Sequence, residues 1–122
     1  MTGSNLDRAR AGYEAIMRGD LDAIRELLDP EVKWHGGDPA YGCQNRKQTL
    51  HWMTENWARQ GGPPGEVVEF LDAGDKVVVI IRRTGDDGES ELVANLTTFR
   101  DGKVVEMVHY PNPDDARAAA GL

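Results

Sequence analysis

The side chains of this 122-residue chain best suited to chemistry near neutral pH are His35, His51, His109 and Cys43. An imidazole, with a pKa of about 6.5, can take up a proton at physiological pH. The histidines show no short spacing of the His-x-His type, so we expect no metal site and no cofactor. A single cysteine excludes an internal disulfide and any multi-thiolate cluster, and we interpret Cys43 as a small buried residue.

The elements that must position these side chains begin with helices. Apolar residues recur every three or four positions over 5–18, which predicts an amphipathic helix with Tyr13 on its apolar stripe. A second helix is predicted over 21–28, where Asp20 can cap its first turn. A third helical stripe runs over 45–60 and ends at a Gly-Gly-Pro-Pro run.

Strands are predicted before and after the third helix. Val32 to His35 alternates apolar with polar residues, which places Trp34 inward and His35 on the opposite face. Asp101-Gly102 is a strong signal for a two-residue hairpin turn. It joins the last two of four strands that form a meander, predicted over 66–71, 76–83, 89–100 and 103–110.

This order of elements predicts an α+β fold in which helices pack on one face of a curved antiparallel sheet. The length suits one domain, which we assign to 1–122. We expect 1–4 and 114–122 to be flexible ends, because the first is short and the second is a polar, alanine-rich tail.

The composition argues against two classes of partner. The net charge is −7, with 14 basic and 21 acidic residues and no basic patch, so we expect no nucleic acid partner. The longest purely apolar run, Val77 to Ile81, is far shorter than the roughly 20 residues that span a bilayer. The N-terminus lacks a basic-then-apolar signal, so we expect no membrane partner and a cytoplasmic location.

The order of elements, together with Gly19–Asp22, Trp34-His35 and Phe99–Met107, resembles the nuclear transport factor 2-like superfamily. Within it, the chain is most similar to the polyketide-cyclase SnoaL-like and ketosteroid-isomerase-like members. The resemblance runs from Asn5 to about Leu122. It implies a cone in which a strongly bent sheet wraps a long N-terminal helix and leaves an apolar cavity with an open mouth. Because the superfamily holds enzymes and non-enzymes, the fold alone does not decide the function.

The catalytic residues of the best-known members are missing from this sequence. Counting from shared anchors places the isomerase tyrosine at Gly12, with Tyr13 one residue off and turned by about 100° around the helix. The isomerase base falls at Gly36 and its oxyanion acid at Asn95, which can donate a hydrogen bond but is no acid. The Arg-x-Asp step of limonene-epoxide-hydrolase-like members has no counterpart on one strand face. We therefore expect neither activity.

The cyclase-like members use a polar residue near the end of the last strand, and the candidate here is His109. Aligning Met107 with the methionine that faces the family's cavity turns His109 inward as well. A free imidazole could remove a proton next to a carbonyl, and Asn95 could donate to the enolate oxygen. The alternative interpretations are a buried histidine bonded to backbone and a satisfied core amide. The expected ligand-binding residues are Tyr13, Trp34, Trp52, Thr97, Phe99 and Met107.

Two functions from different classes remain open at this stage. One is an isomerase-like, cyclase-like or lyase-like enzyme that removes a proton next to a carbonyl of a hydrophobic small molecule. The other is a non-catalytic small-molecule-binding or structural protein of the same fold, which the missing carboxylates favour. We also expect a homodimer, because the outward valine and isoleucine side chains of Val77 to Ile81 would leave an apolar sheet face exposed.

Overall fold

A computed structural model describes residues 4–36, 40–60, 65–84 and 87–122, with the side chains of residues 57, 59 and 60 excepted. Within these residues the chain forms four helices and five strands. The elements in chain order are α1 (Asn5–Met17), α2 (Leu21–Leu27), β1 (Leu28–His35), α3 (Arg46–Gln60), β2 (Glu66–Ala73), β3 (Lys76–Thr84), β4 (Ser90–Arg100), β5 (Lys103–Tyr110) and α4 (Pro113–Ala119). The Gly-Gly-Pro-Pro run expected to end the third helix lies outside the described residues, as do residues 1–3.

Short polar side chains fix the starts of the first two helices. Ser4 caps α1 in a capping box, in which its hydroxyl accepts from the Asp7 amide and the Asp7 carboxylate accepts from the Ser4 amide. Asp20 caps α2 by accepting from the backbone amide of Ala23, as the sequence predicts. α1 then packs against β2 and β3, which brings Tyr13 beneath the sheet.

The five strands form one sheet in the order β1-β5-β4-β3-β2. The meander from β2 to β5 is antiparallel, and its last hairpin turns at Asp101 and Gly102 with φ of 52° and 78°. These positive φ values suit a tight hairpin turn, so the prediction from Asp-Gly is confirmed. β1 pairs with β5 in parallel, which corrects the expectation of an antiparallel sheet throughout. β1 also begins at Leu28, four residues earlier than predicted, and directly follows α2.

The two faces of the curved sheet have different coverings. The inner face packs against α1, α2 and α3 and forms the main core, which includes Val77, Val79 and Ile81. The outer face carries a second cluster of buried residues. Its members are Val78, Ile80, Ala94, Leu96, Val108 and Ala116.

The helix α4 covers this outer face. Its Ala116 is fully buried, and the sheet residues beneath it, such as Val78 and Ile80, are at most a few per cent exposed. Part of the segment 114–122, which we expected to be a flexible end, forms α4, because Asn112 caps a helix there and Pro113 starts it. The flexibility of the two ends stays a prediction. The exposed apolar face that suggested a homodimer is not exposed in one chain. Homodimerisation stays a prediction.

Candidate functional site

A cavity of about 210 Å³ opens between α1, α3 and the inner face of the sheet. Its walls are mainly apolar side chains from α1, β1, α3 and the meander strands. Against this apolar background stand the polar groups of Tyr13, Asn56, Arg83, Asn95 and His109. An apolar pocket with few convergent polar groups is the usual form of a small-molecule site.

Strand register brings two of these polar groups together. Asn95 on β4 lies directly opposite His109 on β5, and Thr97 lies opposite Met107 two positions further along. Since side chains two apart share a face, Met107 and His109 both point toward the cavity, which they line. The antiparallel hairpin thus places an amide beside an imidazole within the apolar pocket.

Asn95 hydrogen-bonds to side chains on two different elements. Its amide nitrogen donates to the hydroxyl of Tyr13 on α1 at 2.9 Å. Its carbonyl oxygen lies 3.1 Å from Nδ1 of His109. A carbonyl oxygen only accepts, so we assign the proton of the neutral ring to Nδ1, which leaves the lone pair on Nε2. The three side chains form a hydrogen-bonded chain that runs from β5 through β4 to α1.

The surroundings of His109 favour the neutral ring. Burial lowers the pKa of His109 below its usual value of 6.5, and the positive charge of Arg83 lowers it further. The carboxylate of Glu91 opposes this shift to a smaller extent. At neutral pH the imidazole is therefore a free base, with Nε2 able to accept a proton.

Tyr13 keeps its phenolic proton at neutral pH. Burial raises the pKa of Tyr13 to about 12, and the hydrogen bond with Asn95 opposes that rise. The hydroxyl oxygen accepts from Asn95, so its own proton is directed elsewhere. The ring is fixed by an edge contact with Phe70, at 6.0 Å between ring centroids. A neutral phenol whose proton is uncommitted to Asn95 can donate to a ligand oxygen.

Arg83 stands where the cavity opens. Its Nε donates to Oε1 of Glu91 at 2.8 Å, across the β3–β4 pair. The same side chain lines the cavity and also a wider, more open pocket of about 630 Å³, here called the entrance pocket. Trp34, Trp52 and His109 line both spaces too. These four side chains define the mouth of the cavity.

Two tryptophans form one side of the mouth. The ring of Trp34 on β1 meets that of Trp52 on α3 edge to face, with 4.5 Å between centroids. Trp52 is 44% exposed, so it borders solvent and cavity together. Such ring pairs add about 0.5–1.5 kcal/mol to the energy of area burial. The contact joins α3 to β1 at the point where a ligand would pass.

The structure places most of the predicted site residues in the cavity wall. Those that line it are Tyr13, Trp34, Trp52, Asn95, Met107 and His109. Thr97 and Phe99 do not; they line a separate inner void of about 30 Å³ beneath Tyr13. Whether any of these residues binds a ligand stays a prediction.

The position of Tyr13 differs from the one that counting gave. Sequence counting put the tyrosine position at Gly12, but Gly12 faces α2, where an added Cβ would lie 2.6 Å from the side chain of Leu27. Tyr13 is the residue that reaches the cavity and contacts Asn95. Adjacent residues of a helix point about 100° apart, so Gly12 and Tyr13 face different neighbours. Whether Tyr13 corresponds to the isomerase tyrosine stays a prediction.

Two other side chains differ from the sequence interpretation. His35, which was expected on the face opposite Trp34, is not exposed there: it is 7% exposed, and its Nε2 lies 2.9 Å from Oε2 of Glu106. Sequence reasoning assigned no role to Arg83 and so missed it as a mouth residue. The available signal was strand alternation, because Arg83 lies two residues after the inward Ile81.

Comparison with known families identifies the class of protein that this fold and site define. The family model described as a SnoaL-like domain matches residues 9–107. The match covers most of the chain, so the chain belongs to this family. The comparison with curated proteins found no match.

Solved structures of bacterial proteins share the fold. A protein of unknown function with a cystatin-like fold from Xanthomonas campestris has a TM-score of 0.75 at 21% identity, covering 93% of this chain and 97% of its own. A provisionally assigned polyketide cyclase from Sinorhizobium meliloti has a TM-score of 0.72 at 21% identity, and the match covers 84% of this chain and 93% of that protein. An NTF2-like protein of unknown function from Burkholderia xenovorans has a TM-score of 0.67 at 20% identity, and the match covers 85% of this chain and 79% of that protein. At these identities the likeness shows the fold alone.

Within the described residues, no helix is both long and apolar enough to cross a membrane.

Proposed function

We propose that this protein is an enzyme that moves or removes a proton on the carbon next to a carbonyl of a hydrophobic small molecule. The observation that carries the proposal is the hydrogen-bonded chain of His109, Asn95 and Tyr13 in the wall of an apolar cavity. It combines a free base with a neutral donor, the two groups that enolate chemistry needs.

Nε2 of His109 takes the proton from the carbon, and the C–H electron pair becomes the carbon–carbon double bond of an enolate. The carbonyl π electrons move to oxygen, where the hydroxyl of Tyr13 donates a hydrogen bond to the developing charge. Where the substrate has a carbon–carbon double bond β,γ to the carbonyl, the enolate charge extends to the γ carbon, and return of the proton there gives the conjugated isomer. Because its pKa is lowered by burial and by Arg83, His109 is unprotonated at neutral pH and can accept the proton.

Asn95 acts here as a positioning residue, which changes the role expected from the sequence. Its carbonyl oxygen and its amide nitrogen each engage another side chain. It fixes the tautomer of His109 and turns the proton of Tyr13 away from itself. The donor to the enolate oxygen is therefore Tyr13 in this mechanism.

A second candidate is a binding protein of the same fold without catalysis. Of the described residues that line the cavity, none is a carboxylate, and carboxylates serve as base and acid in the isomerase-like members. The provisional polyketide cyclase from Sinorhizobium meliloti supports the catalytic candidate, since its printed description concerns an enzyme of this fold. Both candidates share an apolar small-molecule ligand.

Solvent exchange separates the two candidates. Butyrophenone in D₂O is incubated with the protein, and loss of the methylene proton signal next to the carbonyl is followed by NMR. We expect the protein to accelerate exchange, and His109→Gln to slow it by about 100-fold or more. The matched control is His51→Gln, because His51 is exposed on α3 and lies outside the cavity.

The outcomes of this experiment decide between enzyme and binder. Exchange at the buffer rate with saturating butyrophenone contradicts the catalytic proposal. If the ketone still raises the melting temperature of the protein and of His109→Gln equally, the binding candidate stands instead. Equal loss of exchange in His51→Gln and His109→Gln would remove the assignment of His109 as the base.

A further inference from the structure

Arg83 gives the mouth of the cavity a positive charge that the mechanism above does not use. Among the described residues of the cavity wall, it is the one Lys, Arg, Asp or Glu. The chain as a whole has a net charge of −7, so a cationic side chain in the wall of an apolar cavity is contrary to its general composition. Positive potential at a cavity mouth attracts an anionic group.

The strand geometry aims this charge at the cavity. Ile81 and Arg83 lie two apart on β3, and both side chains line the cavity. Arg82, between them, does not line it and is exposed. Arg83 is also close enough to His109 for its charge to affect that ring. Cation and base therefore border the same space.

The guanidinium of Arg83 has N–H groups available to donate to a ligand. An arginine offers five N–H groups, and two of its edges can each bind a carboxylate with two parallel hydrogen bonds. Within the described residues, the structure gives Arg83 one side-chain hydrogen bond, from Nε to Glu91. The edge formed by the two terminal nitrogens is left for another acceptor. Glu91 holds the side chain in place without using that edge.

We propose that Arg83 binds a carboxylate or similar anionic group of the ligand, so that the substrate is an apolar carbonyl compound with an acidic end. This inference rests on the proposed function for the carbonyl part. The apolar body lies against Met107 and the inner wall, the carbonyl lies beside Tyr13 and His109, and the anionic end lies at the mouth. Arg83 is then a specificity-determining residue.

A matched pair of ligands tests the proposal. The probes are 4-oxo-4-phenylbutanoate and its methyl ester, which share the aryl ketone and differ in the charge at one end. Dissociation constants are measured by calorimetry at low salt. We expect the carboxylate to bind at least about tenfold more tightly than the ester, because charge-assisted bidentate pairs are the stronger hydrogen bonds.

Variants on the same strand supply the controls. Arg83→Gln removes the expected preference for the carboxylate, whereas Arg82→Gln retains it although both remove one positive charge. Glu91→Gln is expected to strengthen the binding of the carboxylate probe, whereas Arg83→Gln weakens it. Because Glu91→Gln frees Arg83 from its partner carboxylate, the carboxylate probe is expected to bind several-fold more tightly to this variant. Melting temperatures establish that each variant is folded.

Equal dissociation constants for the two probes overturn the proposal, and so does a preference that survives Arg83→Gln. These failures are distinct from failure of the proposed function. Exchange into butyrophenone, which has no charge, measures the carbonyl chemistry alone. If that exchange depends on His109 while the carboxylate probe shows no preference, the catalytic proposal stands and the role of Arg83 falls.

Discussion

At the scale of single residues, Asn95 suits the neutral forms of both of its hydrogen-bond partners. An amide both donates and accepts, so it can hold a neutral imidazole and a neutral phenol at once. A carboxylate at this position would favour a protonated His109, because opposite charges stabilise each other. Counting from the resemblance assigns the isomerase acid to this position, and the amide that stands here adds no negative charge beside His109.

Thr97 is the other residue whose polar atom calls for an explanation. Its side chain is 3% exposed, and among the described residues its Oγ1 is the one buried side-chain polar atom without a hydrogen-bond partner. An unsatisfied buried hydroxyl costs about 1–3 kcal/mol. We expect Thr97→Val to raise the free energy of unfolding by about 1 kcal/mol, measured by urea denaturation.

Thr49 is the matched control for this prediction. It is also fully buried, but its hydroxyl donates to the carbonyl oxygen of Asn45 at 2.9 Å. Thr49→Val removes a satisfied hydrogen bond and should lower the unfolding free energy by about 1 kcal/mol. A loss of stability in Thr97→Val as well would mean that the hydroxyl of Thr97 is satisfied in solution.

The sequence could predict which face these residues share, but not their depth. Period-two alternation put Asn95, Thr97 and Phe99 on one strand face, and all three are buried there. Only Asn95 reaches the main cavity, while Thr97 and Phe99 line the inner void below Tyr13. Depth depends on where α1 crosses the sheet, which is a tertiary contact that a strand pattern does not contain.

At the scale of elements, local signals predicted strands and helices better than their partners. The Asp-Gly turn fixes the β4–β5 hairpin because the two strands adjoin in sequence. The parallel pairing of β1 with β5 joins segments about 70 residues apart, and no local pattern specifies it. The same limit applies to α4, whose short alanine-rich sequence resembles a tail until the sheet face beneath it is known.

The packing of α4 makes a prediction of its own. Ala116 is fully buried against the outer sheet face, whereas Ala118 on the same helix is exposed. Ala116→Asp buries a charge without a partner, so we expect it to lower the free energy of unfolding by about 2 kcal/mol or more. Ala118→Asp leaves the charge in water near the helix C-terminus and should cost less than about 1 kcal/mol.

Chemical denaturation of the two variants measures this difference directly. If α4 is docked, undocking it exposes Val78, Ile80, Leu96 and Val108 to water, and Ala116→Asp also gains affinity for an apolar dye. Equal stability of the two variants would contradict a docked α4. It would also mean that the outer sheet face is exposed in one chain, which is the premise from which a homodimer was predicted.

At the scale of the whole molecule, the wall of the cavity differs in charge from the rest of this acidic chain. The net charge is −7, yet among the described wall residues no carboxylate lines the cavity. The curved sheet and α1 exclude water from Tyr13, whose pKa burial raises to about 12, and partly from His109, whose pKa burial lowers. The fold therefore acts on both groups in the same sense, by favouring their neutral forms.

This effect couples the stability of the molecule to pH. The pKa of His109 is lower in the folded chain than the value of about 6.5 expected on unfolding, so below pH 6.5 the unfolded chain binds more protons. The contribution of His109 to the free energy of unfolding is fully present above pH 6.5. It is lost progressively as the pH falls toward the pKa of His109 in the folded chain. Arg83 increases the loss and Glu91 reduces it. In His109→Gln this loss should be absent. Urea denaturation between pH 7.5 and 5 measures the free energy of unfolding of both proteins. If it falls equally with pH in the two proteins, the lowered pKa of His109 is contradicted.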